Sequence, residues 1–268
     1  MSGDAKLALF CDFENIALGV QDAKEADFDI RPVLERLLLK GSIVVKKSYC
    51  DWNRYKKFKP AMHEAAFEMI EIPHLRISGK NSADIRMVVD ALDLCYTKEH
   101  VDTFVIISGD SDFSPLVSKL RENAKTVIGV GVKSSTSDLL VANCDEFIFY
   151  DDLVTSTGGG QKKKARKRSS SRKKSAKKRP QRKQDKAQEA IDLVVETTEA
   201  LYAERGDRSK LWGSMIKQTL KRRRPQFSES SYGFSSFSDL LEEAASRGSL
   251  ELEMDERSGG YIVKGTLS

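Results

Sequence analysis

Up to about residue 152, two kinds of apolar block alternate along the chain. "KLALFC" (6–11) is a short apolar run that reads as a strand, and "RPVLERLLLK" (31–40) has helical spacing with Pro32 near its start. "SIVVKKSYC" (42–50) is rich in β-branched residues, a helical pattern covers roughly 53–69, and "IEIPHLRI" (70–77) is extended. "SADIRMVVDALDLCY" (82–96) places Ile85, Val88, Val89 and Leu92 at i, i+3, i+4 and i+7, which predicts an amphipathic helix with those four toward a sheet. "TFVIIS" (103–108) reads as a buried strand, followed by a helix with Ser114 as N-cap and Pro115 at its first position. Strand "TVIGVGV" (126–132), helix "TSDLLVAN" (136–143) and strand "EFIFY" (146–150) end the series. Repeated β-α units predict an α/β domain over 5–152, with a mostly parallel sheet between two layers of helices.

The pattern changes after residue 186. Residues 187–204, 208–222 and 233–248 read as helices, the last stopped by Gly248. "LELEMDERSGGYIV" (250–263) is two alternating runs about "SGG", a β-hairpin. Three helices and a hairpin predict a small winged-helix (α+β) domain over 186–266. Between the two lies "TSTGGGQKKKARKRSSSRKKSAKKRPQRKQ", nearly without apolar residues, which reads as a disordered linker over 155–185.

Charge divides the chain in the same way. Residues 1–160 carry 19 Lys and Arg against 25 Asp and Glu, residues 161–185 carry 14 against 1, and residues 186–268 carry 12 against 14. A polybasic run of this density reads as a phosphate-binding arm, a nuclear-localisation signal or a soluble spacer. No stretch approaches the roughly 18 apolar residues of a membrane span, and the N-terminus lacks the basic start and cleavage site of a signal peptide. The expectation is a cytoplasmic protein. Cys11, Cys50, Cys95 and Cys144 are scattered without a CxxC pair, which argues against zinc and redox motifs and for buried reduced thiols. His63, His74 and His100 are isolated and give no catalytic grouping.

The candidate chemistry is acidic. In an open α/β sheet, ligands sit at the carboxyl edge of the strands. Asp12 ends the first strand, Asp110 and Asp112 in "ISGDSDFSPL" follow the strand 103–108, and Asp84 opens the helix 82–96. Each alone reads more readily as a turn residue or helix cap than as a ligand. Four at one edge from three segments suggest hard oxygen ligands for Mg²⁺ or Mn²⁺. One or two such ions could clamp the attacking and leaving oxygens of a phosphodiester. Asn15 could orient Asp12 or a phosphate. Asp90, about 240° round the helix from Asp84, is accessory, and Lys80 could neutralise a phosphate. Glu14 faces away from Asp12 if the strand continues.

"LFCDFENIAL", "KNSADIRMVVDAL" and "FVIISGDSDFSPLVSKLRENAKTVIGVG" resemble, in order, the three motifs of NYN domains, the PIN-like ribonuclease group that includes LabA-like proteins. The resemblance implies a PIN-like three-layer α/β/α sandwich and metal-dependent RNA cleavage. It carries the acidic roles onto Asp12, Asp84, Asp110 and Asp112, with Asn15 and Lys80 beside them. "LWGSMIKQTLKRRRPQFSES" and "YGFSSFSDLLEEA" resemble the OST-HTH (LOTUS) domain, a winged-helix module that binds RNA or protein.

"KKSYCDWNRYKKFK" (46–59) begins at the carboxyl end of the second strand. Lys46, Lys47, Arg54, Lys56 and Lys57 could hold phosphates while Trp52 and Tyr55 stack on unpaired bases. Trp52 and Phe58 could equally anchor the core of the next helix. Ser135, after the strand 126–132, is at the same edge. Arg222 and Arg223, within a strip from Lys217 to Arg224 and with Arg205, Arg208 and Lys210 nearby, could bind nucleic acid or be a solvated helix end. The expected partner is single-stranded RNA, as stacking residues suggest, with protein partners open to the LOTUS module. A ribonuclease, a non-catalytic RNA-binding scaffold and a nuclease acting on DNA all remain compatible with the motifs.

Overall fold

The computed structural model describes residues 4–23, 27–72, 81–157, 179–205, 210–255 and 258–266. The chain divides into two compact units, Met1–Lys162 and Lys163–Ser268.

In the first unit the elements are β1 (Ala5–Asp12), α1 (Phe13–Asp22), α2 (Arg31–Leu38), β2 (Gly41–Cys50), α3 (Lys59–Glu64), β3 (Glu68–Glu71), α4 (Ser82–Thr97), β4 (Thr103–Ile107), α5 (Ser114–Glu122), β5 (Thr126–Gly131), α6 (Asp138–Asn143), β6 (Glu146–Phe149) and α7 (Tyr150–Thr157). The six strands form one sheet in the order β3-β2-β1-β4-β5-β6. Every pairing is parallel.

Alternation along β1 explains the layers. Leu7, Leu9 and Cys11 enter one core with Phe13, Ile16 and Val20 of α1, Val33 and Leu37 of α2, and Met62 of α3. Ala8 and Phe10 point the other way, into a core with Met87 and Ala91 of α4, Leu116 and Val117 of α5, and Leu140 of α6. A strand buried on both faces must be apolar at every position. The result is the expected three-layer α/β/α sandwich. All four cysteines are free and buried, and burial raises the Cys144 thiol to about 12.

Several local expectations change. The first strand ends at Asp12 and is followed at once by α1, whose Phe13, Ile16, Ala17 and Val20 have the helical spacing of a buried stripe. The pattern over 53–69 yields only a short 3-10 turn (Lys56–Phe58) and α3, because the backbone turns left-handed at Ala66. Residues 70 and 71 belong to β3, and 73–80 lie outside the described residues. In α4 the buried residues are Met87, Ala91 and Cys95, while Ile85 and Val89 are exposed. The expected stripe is thus rotated, sharing only half-buried Val88 and Leu92 with the real one. Small side chains at 91 and 95 let the helix lie close on the sheet, and the Tyr49 hydroxyl donates to Asp90 at 2.9 Å from β2.

Ser114 does not cap α5. A 3-10 turn (Ser111–Phe113) precedes the helix, and the Asp110 carboxylate caps that turn by accepting from the Asp112 N–H at 2.9 Å. The helix then starts from Phe113, with Pro115 in its first turn.

The second unit contains α8 (Arg179–Arg205), β7 (Leu211–Trp212), α9 (Gly213–Arg223), α10 (Phe237–Ser246), β8 (Leu250–Asp255) and β9 (Gly260–Thr266). Its antiparallel sheet has the order β7-β9-β8. Ala190, Ile191 and Val194 of α8 pack with Ile216 and Leu220 of α9, Leu240 and Leu241 of α10, and Val263 of β9. Leu211 and Trp212 pair with Val263 and Ile262, so the predicted helix over 208–222 begins only at Gly213. Helix α8 starts inside the segment expected to be linker, since "QRKQDKAQEA" consists of good helix formers after Pro180. The remainder of that segment, 158–178, lies outside the described residues. Among the described residues, no helix is long and apolar enough to cross a membrane.

Candidate active site

The strand order reverses between β1 and β4, and at such a point the loops leaving two adjacent parallel strands turn to opposite sides and open a crevice. Asp12 ends β1 and the segment Ser108–Asp112 leaves β4, so both border this crevice. Asp12 is 8% exposed. One of its oxygens accepts from the Ser108 hydroxyl at 3.1 Å and the other from the Asn15 N–H at 3.4 Å. The Asn15 side-chain oxygen accepts from the Gly109 N–H at 2.8 Å, tying α1 to the loop after β4. The Asp110 N–H donates to the Ser108 hydroxyl oxygen at 3.2 Å. One buried hydroxyl therefore holds both carboxylate-bearing segments in register.

Electrostatics joins these residues. Burial, then repulsion from Asp84 and Asp110, pushes the Asp12 carboxyl up to about 7. Burial, then repulsion from Asp110, Asp112 and Glu14, raises Asp84. The four predicted acids thus share one field, and Glu14 is a fifth. Sequence reasoning discarded Glu14 by extending β1 beyond Asp12, although the spacing of "FENIALGV" marks a helix. Ser108 and Gly109 were also missed. A Cβ on Gly109 would lie 2.6 Å from the Ser135 carbonyl oxygen, so glycine permits the β5–α6 loop to close against the site. Ser135 accordingly lies where expected, beside the acidic edge, and is exposed.

Carboxylate oxygens that repel one another in a part-buried edge fit a hard divalent cation in kind. They are not gathered around one point: among the described residues, no three His, Cys, Asp or Glu side chains are grouped to hold a metal ion.

Other expected residues have different surroundings. Asp90 is held by Tyr49, by Lys47 at 3.4 Å and by Arg86 at 3.1 Å, a brace between α4 and β2 and not a member of the acidic field. Lys47 also pairs with Glu68, and Lys46 donates to the Ala65 carbonyl behind α3. Trp52 and Tyr55 are buried against Phe13, with ring centroids at 4.9 and 5.6 Å, so their faces are core contacts and not stacking platforms. An apolar core claims aromatic surface more strongly than solvent does. Arg54 pairs with Glu14 at 3.0 Å and Lys57 with Asp27, while Lys56 is exposed. Lys80, His74 and Arg208 lie outside the described residues. In the second unit Arg222 is exposed at the end of α9, and Arg223 pairs with Glu196 of α8.

Comparison with known proteins agrees with this architecture. The NYN domain family model matches residues 6–151, and the OST-HTH/LOTUS domain model matches residues 182–260. An uncharacterized protein of Methanocaldococcus jannaschii is 29% identical over 138 residues, 52% of this chain and 52% of that protein. The chain thus spans about half the length of this curated relative. The crystal structure of a protein of unknown function from Vibrio parahaemolyticus superposes with a TM-score of 0.51 at 25% identity, covering 57% of this chain and 97% of the other. The first model alone accounts for more than half of the residues, over the same span that carries the reversed sheet and its acidic edge, and the chain belongs to the NYN domain family, with an OST-HTH/LOTUS domain following in sequence.

Proposed function

We propose that the chain is a metal-dependent ribonuclease whose acidic edge hydrolyses phosphodiester bonds in single-stranded RNA, with the OST-HTH/LOTUS domain as its RNA-binding module. The observation that carries this reading is Asp12, buried at the strand reversal and pushed up to about 7 with Asp84 and Asp110 as its charged neighbours. A protein gains no stability from confining like charges at a sheet edge, so the arrangement calls for a cationic occupant. NYN domains belong to a nuclease superfamily, which supports phosphodiester hydrolysis.

Asp12, Asp84, Asp110 and Asp112 would hold Mg²⁺ or Mn²⁺. When bound, such an ion supplies Lewis-acid polarisation of the phosphoryl oxygens and a more acidic water. The chain's own groups do the positioning. Ser108 and the Asn15 backbone fix the two Asp12 oxygens, and the Asn15 amide fixes the loop that carries Asp110. Asp110 is held in turn by its bond from the Asp112 N–H. Around neutral pH Asp12 shifts between its neutral and charged forms, so a bound cation would also displace its proton.

A second reading, a scaffold that binds RNA without cutting it, rests on the acids not being gathered into a three-ligand group among the described residues. Cleavage of a labelled single-stranded RNA in Mg²⁺, Mn²⁺ or EDTA, by wild type and by Asp110→Asn/Asp112→Asn, separates the two. Metal-dependent cutting that the double variant loses is the expected result. RNA binding without cutting, equal in both proteins, supports the scaffold. A matched DNA strand tests the choice of sugar.

A further inference from the structure

Between α4 and α5, beside the acidic edge, lies a cleft of about 730 Å³ that the phosphodiester chemistry does not use. Asp84 and Asp112 line its inner end, so it is continuous with the candidate active site. Ile85, Val88, Val89, Pro115 and Leu139 form its walls. Ile85, Val89 and Leu139 are more than half exposed, although β-branched and long aliphatic side chains gain most from burial. This is the apolar stripe of α4 that the sequence predicts for the sheet and the fold turns outward.

Among the described residues, no lysine or arginine lines the cleft. Beyond the two carboxylates at the acidic edge, the lining is neutral and largely apolar, which suits an uncharged group better than a phosphate. Ser114 also lines the cleft, and its residue is 7% exposed. Its hydroxyl has no hydrogen-bond partner, since Ser114 is the first residue inside α5 and not its cap. A buried hydroxyl left unpaired is costly, and one at the wall of an apolar cleft marks where a ligand's polar edge would sit. Asn81 and Ser118 add an amide and a second hydroxyl to the same lining.

Apolar walls and a few neutral polar groups match a nucleobase, which has two apolar faces and a polar edge. We infer that the α4–α5 cleft is a nucleobase subsite, holding one base of the RNA next to the phosphate engaged by the acidic edge, with Ser114 bonding to the base edge. This rests on the proposed ribonuclease reading for its choice of ligand.

The test is an abasic scan scored by binding alone. A set of single-stranded RNAs, each lacking one base, is titrated in Ca²⁺ by fluorescence anisotropy against the full-length chain and against Ile85→Ser/Val89→Ser. Both substituted side chains are exposed, so the variant keeps its fold. In wild type one position should lose about fivefold to tenfold in affinity when its base is removed. The variant should bind the intact RNA more weakly by the same factor and show no further loss at that position. Ser114→Ala should leave the melting temperature unchanged and alter which base is preferred there. Equal abasic penalties in wild type and variant overturn the subsite while leaving RNA binding standing. No RNA binding by either protein overturns the subsite and the ribonuclease reading together. A concentration-dependent dimer in sedimentation that the double variant abolishes overturns it too, and gives the cleft to a second copy of the chain.

Discussion

Asp12 shows how a single side chain can oppose the fold that carries it. Its folded carboxyl sits near 7, above the ordinary carboxylate value, so the native state holds a proton that the unfolded chain releases. The corresponding stability is present below the unfolded value near 4 and is lost as pH rises to about 7. Asp12→Asn should therefore melt higher than wild type at pH 8 without divalent ions, and the gap should close towards pH 4. Mg²⁺ or Mn²⁺ should raise the melting temperature of wild type and leave the Asn variant nearly unmoved; scanning fluorimetry at the two pH values measures both. Ser108→Ala removes the hydroxyl that donates to Asp12 and accepts from the Asp110 N–H, and should cost about 1–3 kcal/mol in denaturant unfolding. Gly109→Ala should also destabilise, because the added carbon meets backbone at Ser135.

At the scale of elements, α4 separates what the sequence makes legible from what only packing decides. Periodicity finds the helix within a residue or so of its ends, yet two overlapping stripes fit the same spacing. Hydrophobicity favours Ile85 and Val89, while close approach to the sheet favours Met87, Ala91 and Cys95. Met87→Ala should cost about 2–5 kcal/mol, whereas Val89→Ala should lie within about 0.5 kcal/mol of wild type. The reverse ranking would place the helix in the predicted orientation. The same limit explains Trp52 and Tyr55: a basic-aromatic sequence cannot say whether its rings face solvent or Phe13. Strands β1, β4 and β5, by contrast, are legible because parallel strands buried on both faces leave continuous apolar runs. Asp12, Asp110 and Asp112 follow directly, since their place after strand ends fixes their place in space, and Asp84 follows from its place in the first turn of α4. Ser108 and Glu14 do not, as each depends on where a strand stops to within one residue.

Across the whole molecule, charge is segregated by sequence. The first unit is acidic at its candidate site, and the 14 Lys and Arg between residues 161 and 185 are the chain's densest cationic segment. Binding of RNA should therefore depend steeply on salt, and deletion of 161–178 should lower the slope of log affinity against log salt. An unchanged slope would assign the phosphate contacts to the two domains instead.

The pairing of β1 has a consequence for how such a protein is made. Asp12 receives its buried hydrogen bond from a serine 96 residues further along the chain. Strand β1 emerges from the ribosome with Leu7 to Cys11 apolar throughout, well before one of its two neighbours, β4 at Thr103–Ile107. Contacts so distant in sequence form late. The nascent chain thus carries an open, sticky strand until β4 is made, and its acidic edge is incomplete for all that time. Whatever chemistry an edge assembled in this order performs, it cannot perform on its own message until synthesis has passed the point where both halves of the edge exist.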